Sequence, residues 1–194
     1  MQKPAQTDHP VLDVIRERWS PRAFDPDRTL SEADLAPLFE AARWAPSSDN
    51  TQPWRFVYAF RGEPAFDALV ACASEGNQRW VFRASVLAYA IAREQSDKGH
   101  DLWHRRHDTG IALGYLLLQA TAAGFAVHPF GGFDSQKVID AAGVPPGFEP
   151  CTGIAIGFPG AVDLLNERDA TREIAPRTRL RVADFAFHGH WPQG

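Results

Sequence analysis

Apolar positions along this chain recur with two different periods, and the places where the period changes divide it into helices and strands. Asp8 or His9 followed by Pro10 marks a helix start, and Val11, Leu12, Val14 and Ile15 supply its apolar side until a basic cluster beginning at Arg18 ends it. A second helix opens at Ser31, whose hydroxyl can cap while Asp34 reaches back, and Leu35, Leu38, Phe39 and Ala42 follow at helical spacing. Residues 54–60 read as a strand, 64–74 as a helix, and 85–92 (SVLAYAIA) as a strand buried on both faces. Residues 126–130 and 152–158 read as further strands, with a helix over 134–142 between them. Strands and helices therefore alternate within an α+β fold.

The segment DTGIALGYLLLQATAA, residues 108–123, is apolar on nearly every face, and Gly110 and Gly114 stand four apart where another backbone can approach. Such a helix is expected to be buried all round. In a chain of 194 residues a second subunit covering it explains that burial more easily than the core of a monomer does. The tail, residues 161–194, has little apolar periodicity and reads as an arm that lies along another surface, such as a partner subunit, or stays partly mobile. No internal repeat or low-complexity linker divides the chain, so residues 1–194 are expected to form one domain.

Composition narrows the function by exclusion. A net charge of −4 argues against a nucleic-acid or membrane-surface partner, since either needs a broad excess of Lys and Arg. Cys72 and Cys151 lie far apart with no C-x-x-C spacing, which implies neither a zinc site nor a redox dithiol. No apolar run reaches transmembrane length, and the polar start lacks the apolar stretch of a signal peptide, so the expected location is cytoplasmic. His100, His104 and His107 precede the apolar helix, with His100 and His104 one helical turn apart. The arginines between them repel a cation, and the segment is expected to form a solvent-facing lip with no metal. His128 reads as a structural residue.

Two basic clusters, Arg18-Trp19-Ser20-Pro21-Arg22 and Arg177-Thr178-Arg179, carry the chemistry. Guanidinium groups match phosphate oxygens two at a time and a serine hydroxyl adds a neutral donor, so together the clusters suggest one anion site. The alternative is that they lie on solvated faces and pair with Glu17, Asp25 or Asp184. A third segment, Ala45 to Trp54 (APSSDNTQPW), brackets small hydroxyls and amides between prolines, leaving backbone groups free for a flat polar ligand.

With these motifs the chain resembles the flavin-dependent nitroreductase family, whose members carry an R-x-S-x-R/K element, a PSS-x-N-x-QPW loop, a GFD turn and a basic P-K/R-x-R near the C-terminus. All four occur here in order, as Arg18 to Arg22, Pro46 to Trp54, Gly132-Phe133-Asp134 and Pro176 to Arg179. The resemblance implies a central mixed or antiparallel sheet flanked by helices, in an intertwined homodimer, with FMN as cofactor and NAD(P)H as electron donor. It implies that Arg18, Ser20, Arg177 and Arg179 hold the FMN phosphate, with Trp19 beside them, and that Arg22 lies nearer the flavin. It further implies that Asn77 bonds the pyrimidine edge and that Pro46, Ser47, Ser48 and Asn50 reach the flavin rim from the other subunit. Gln52 and Trp54 would hold that loop in shape, while Phe130, Gly131 and Gly132 cross one flavin face and direct a backbone N–H at N5.

Three positions depart from the family pattern: Trp19 where many relatives have His or Arg, Trp80 where some have Lys, and Gly131 where a glutamate often stands. Charge near the ring is reduced, and a relative's substrate range does not carry over. The implied function is hydride transfer from NAD(P)H through the flavin to a small-molecule acceptor such as a nitroaromatic or quinone, with no catalytic side chain. The alternatives are an FMN-storing or FMN-sensing protein, a dehalogenase-like or flavin-fragmenting relative, and an interaction domain without cofactor.

Overall fold

The computed structural model describes residues 2–192. At its centre is a four-stranded sheet built from β1 (Trp54–Phe60), β2 (Val86–Arg93), β3 (Ala126–Phe130) and β4 (Phe148–Gly157), ordered β1-β2-β4-β3. All three pairings are antiparallel, which resolves the expected mixed or antiparallel sheet in favour of the second. β2 is central and buried at every position except Arg93, the environment that its unbroken apolar run demands. β3 is an edge strand, so Pro129 removes a donor where no further strand needs one.

Alternation along β2 sorts the core into two layers. Val86, Ala88 and Ala90 face α2 (Glu32–Arg43) and α5 (Arg105–Ala122), meeting Leu35, Leu38, Ala112 and Leu116. Leu87 and Tyr89 face the opposite side, where α3 (Pro64–Cys72), α4 (Glu75–Val81) and α6 (Ser135–Ala142) contribute Phe66, Leu69, Trp80 and Val138. The caps are local in sequence. Asp34 accepts the backbone N–H and the hydroxyl of Ser31 at the start of α2, and Asp134 accepts the N–H groups of Gln136 and Lys137 at the start of α6.

Four segments differ from the sequence expectation. The first helix, α1, is confined to Asp13–Glu17 and buries none of its residues; Val11, Leu12 and Ile15 are exposed. The expected helix over 64–74 ends at Cys72, and α4 follows as a separate element with Ser74 at its N-cap position. α5 is buried on one side only, with Gly110 and Tyr115 exposed. Part of the supposed arm folds back on its own chain: α7 (Glu167–Ile174) buries Asp169 and Glu173, whereas 178–192 is exposed throughout. α7 escapes periodicity because its inward face carries carboxylates rather than hydrocarbon. No helix among the described residues is long and apolar enough to cross a membrane.

One close approach crosses the sheet. The Phe130 ring occupies the space where a Cβ on its cross-strand partner Gly153 would stand. Gly153→Ala is therefore expected to destabilise the fold by about 1–3 kcal/mol through overpacking. In a Phe130→Ala background the same change should cost almost nothing, and urea unfolding of the single and double variants measures the difference.

Candidate functional site

Both arginine clusters line one cavity. The chain leaves α1 through Arg18, Trp19, Ser20 and Arg22; the segment after α7 supplies Arg177, Thr178 and Arg179; together they bound a cavity of about 280 Å³. Arg18 donates to Ser20 Oγ at 3.3 Å. Burial first, and then the charges of Arg177 and Arg179, lower the Arg18 pKa; burial and then Arg179 do the same to Arg177. The acids that could have neutralised them are engaged elsewhere or unpaired: Asp184 holds Arg181, Asp25 accepts the N–H of Asp27, and Glu17 makes no ion pair among the described residues. Among the described residues, Arg18, Arg22, Arg177 and Arg179 have no carboxylate partner within 4.0 Å. A half-buried concentration of like charge with a hydroxyl at its rim fits a phosphate-type anion, which would relieve the repulsion.

Two buried polar groups fix the first cluster. Glu173, at 1% exposure, accepts the backbone N–H of Arg22 at 2.9 and 3.0 Å and that of Ala23 at 3.0 Å. His128 donates from Nδ1 to the Pro21 carbonyl at 2.8 Å and stacks on Trp80 with ring centroids 4.4 Å apart. Burial lowers the His128 pKa to about 4; the bond to Pro21 opposes that shift, and the charges of Arg22 and Arg18 assist it. The imidazole is thus neutral at physiological pH, and its Nδ1 proton is committed to the backbone. Trp80, which departs from the family pattern, is a core residue stacked between His128 and Phe24.

The loop between α2 and β1 is held in an unusual shape. Asp49, Asn50 and Gln52 adopt φ of 50°, 55° and 45°, the left-handed region that costs residues with a Cβ energy. Asp108, at 3% exposure near the start of α5, accepts the Ser48 N–H at 3.1 Å, and Ser47 Oγ accepts the Gln52 N–H at 3.0 Å. Trp54 is buried. Pro46 and Asn50 are exposed and Ser47 and Ser48 half-buried. Within one chain this loop does not join the arginine cavity. Ser48, Asp49 and Thr51 instead line a second cavity of about 420 Å³ with His100, Trp103 and His104. Among the described residues no group of three His, Cys, Asp or Glu could hold a metal.

The glycine turn is held by its neighbours from below and from one side. The Phe130 ring packs inward against Trp80 and Tyr89, so only its backbone is available to a ligand. Gly131 is exposed with open space at its Cβ position, whereas a Cβ on Gly132 would lie 2.8 Å from both Asn77 Nδ2 and Ser74 Oγ. Asn77 donates to the Gly132 carbonyl at 2.9 Å and Ser74 N–H to the same oxygen at 2.9 Å. Asn77 thus clasps the turn, and glycine at 132 makes room for that clasp. Sequence reasoning missed Glu173, Lys3 and Asp108. Each looks like a solvated surface charge until tertiary contacts bury or engage it.

The Nitroreductase family model matches residues 15–63 and 59–158, and the chain belongs to that family. A solved structure described as an oxidoreductase containing FMN shares 36% identity, covers 97% of this chain and 96% of its own, and superposes with a TM-score of 0.92. An uncharacterised 15.4 kDa protein of Mycolicibacterium smegmatis is 32% identical over 148 residues, 71% of this chain and 97% of the relative. An oxygen-insensitive NAD(P)H nitroreductase of Salmonella typhimurium is 25% identical over 173 residues, 68% and 79% of the two chains. The family match ends before α7, so Arg177 and Arg179 lie beyond it.

The His128 environment gives a signed pH dependence. Its pKa falls from 6.5 to about 4 on folding, so the unfolded chain binds the extra proton between those values. The stability this group contributes is complete above about 6.5 and is lost as pH falls toward about 4. A His128→Gln variant should lose less stability than the wild type across that window, as read by urea unfolding at a series of pH values.

Proposed function

We propose that the protein is an FMN-dependent oxidoreductase that uses NAD(P)H to reduce an electrophilic acceptor such as a nitroaromatic or quinone. The observation that carries this reading is the convergence of five arginines, Arg18, Arg22, Arg172, Arg177 and Arg179, without carboxylate partners among the described residues, into one anion-sized cavity. Family membership and the 36% identical relative described as containing FMN support it. When bound, FMN supplies the chemistry, carrying electrons between NAD(P)H and the acceptor.

The chain's own groups bind and orient. Arg18, Arg177, Arg179 and Ser20 would hold the phosphate, while Trp19 forms part of the wall. Arg22, its backbone pinned by Glu173, would add a fixed positive charge toward the ring. Gly131 and Gly132 would offer backbone N–H groups on the turn that Asn77 and Ser74 clasp. No side chain moves a proton in this scheme. His128 is neutral and its Nδ1–H is committed to Pro21, so the rate of the reductive half-reaction should stay nearly flat from about pH 6 to 8.

The site would be completed by a second copy of the chain. Val11, Leu12 and Ile15 beside α5, Tyr115 on it, and Leu180, Phe185, Phe187 and Trp191 in the 178–192 segment are apolar and exposed. Such surface is characteristic of a face that another subunit covers. Pro46, Ser47, Ser48 and Asn50 would then approach the partner's arginine cavity.

Arg18→Ala or Arg179→Ala should weaken FMN binding by about 2 kcal/mol, the loss of one charge-assisted phosphate partner. Equilibrium titration followed by flavin fluorescence reads it, and unchanged affinity in both would mean that the clusters do not meet at the phosphate. Sedimentation should give a flavin-loaded dimer for the wild type and aggregated or flavin-free monomer for Leu117→Arg on α5. Steady-state NAD(P)H oxidation with a quinone distinguishes turnover from mere FMN storage.

A further inference from the structure

The segment before α1 belongs to none of the four motifs, yet Lys3 stitches it to the arginine cavity. The Lys3 ammonium donates to the main-chain carbonyls of Glu173 and Ala175, each at 2.6 Å, and stands 4.9 Å from the centre of the Trp19 ring. The Lys3 carbonyl in turn accepts Arg177 Nη1 at 2.6 Å, the nitrogen that also reaches the Arg16 carbonyl at 3.0 Å. Ala5 N–H adds a bond to that Arg16 carbonyl at 2.7 Å. Lys3 thus joins the end of α7 to Arg177, and Arg177 and Ala5 tie both to the end of α1.

Each contact has an ordinary physical basis. The last carbonyls of a helix lack intrahelical partners, and a lysine ammonium that takes them up caps the helix and meets its negative end. A guanidinium that commits one nitrogen to backbone carbonyls loses rotational freedom and keeps its other N–H groups for a ligand. The brace also resists a cost. Arg18, Arg177 and Arg179 repel one another, and the exposed chain after Ala175 has few contacts of its own to oppose that repulsion.

We propose that Lys3 is a positioning residue of the anion site: its ammonium fastens the N-terminal segment to the end of α7 beside Trp19, which sets its main-chain carbonyl against Arg177, so the cationic wall is in place before a phosphate-bearing flavin arrives. The inference rests on reading the cavity as the seat of the FMN phosphate. A brace that orders the wall in advance spares the ligand that ordering cost and appears as affinity for the phosphate alone. A lysine that merely stabilises α7 would have no such selectivity.

FMN and riboflavin share ring and ribityl chain and differ in the phosphate, so the pair separates the two roles. Both are titrated by flavin fluorescence into the wild type, Lys3→Met and Lys3→Arg, with thermal melting of the ligand-free proteins alongside. The wild type is expected to prefer FMN, and Lys3→Met to weaken FMN binding about tenfold, the size of a lost hydrogen-bonded brace, while riboflavin affinity stays the same. Lys3→Arg should recover most of the loss. Wild-type FMN affinity in Lys3→Met, or an equal loss for FMN and riboflavin, overturns the positioning role and leaves the cavity reading standing. A wild type that does not distinguish the two flavins overturns both.

Discussion

The Glu173 carboxylate, almost fully buried, accepts the backbone N–H groups of Arg22 and Ala23, and this contact holds the beginning and the end of the chain together. A carboxylate removed from water is stable only while its partners stay in place. Pulling α7 away would leave the N–H groups of Arg22 and Ala23 without their acceptor. That constraint fixes where Arg177 and Arg179 emerge, and so whether they meet Arg18 at all. The contact lies outside the sheet, whereas one wall of the cavity follows directly from α7.

On the other side of the same segment, His128 fastens the Pro21 carbonyl to β3, and Trp80 covers the imidazole. A cation at position 80 would face a neutral ring in a dry pocket; the indole instead packs against both His128 and Phe24. The departure from the family pattern at this position is therefore a matter of core packing beneath the arginine segment. Trp19, by contrast, remains at the cavity wall. Gly131 is open to solvent at its Cβ position, so nothing in the single chain explains glycine there.

Elements with hydrocarbon faces were legible in the sequence. β1 and β3 match their expected residues, the Ser31 and Asp34 cap is present, and α6 begins directly after Asp134. The two arginine clusters were legible as a pair from their composition and from the order of the family motifs, and they line one cavity. What stayed hidden was held together by polar groups. α7 shows no apolar stripe because Asp169 and Glu173 are its buried residues, and α4 went unread because it is only seven residues long with Trp80 and Val81 as its buried positions. Lys3 and Asp108 act through backbone groups of distant segments, for which sequence spacing has no signature. The Asn77 amide donates to the Gly132 carbonyl, a contact between segments that spacing does not announce.

The anion cavity joins residues separated by more than 150 positions, Arg18 to Ser20 on one side and Arg177 to Arg179 on the other. During synthesis the first cluster leaves the ribosome early, while the second emerges only after all four strands have been made. A nascent chain can therefore build its sheet long before that cavity has both of its walls. A chain arrested between β4 and Arg177 would hold every strand of the sheet yet lack the wall that Arg177, Thr178 and Arg179 supply.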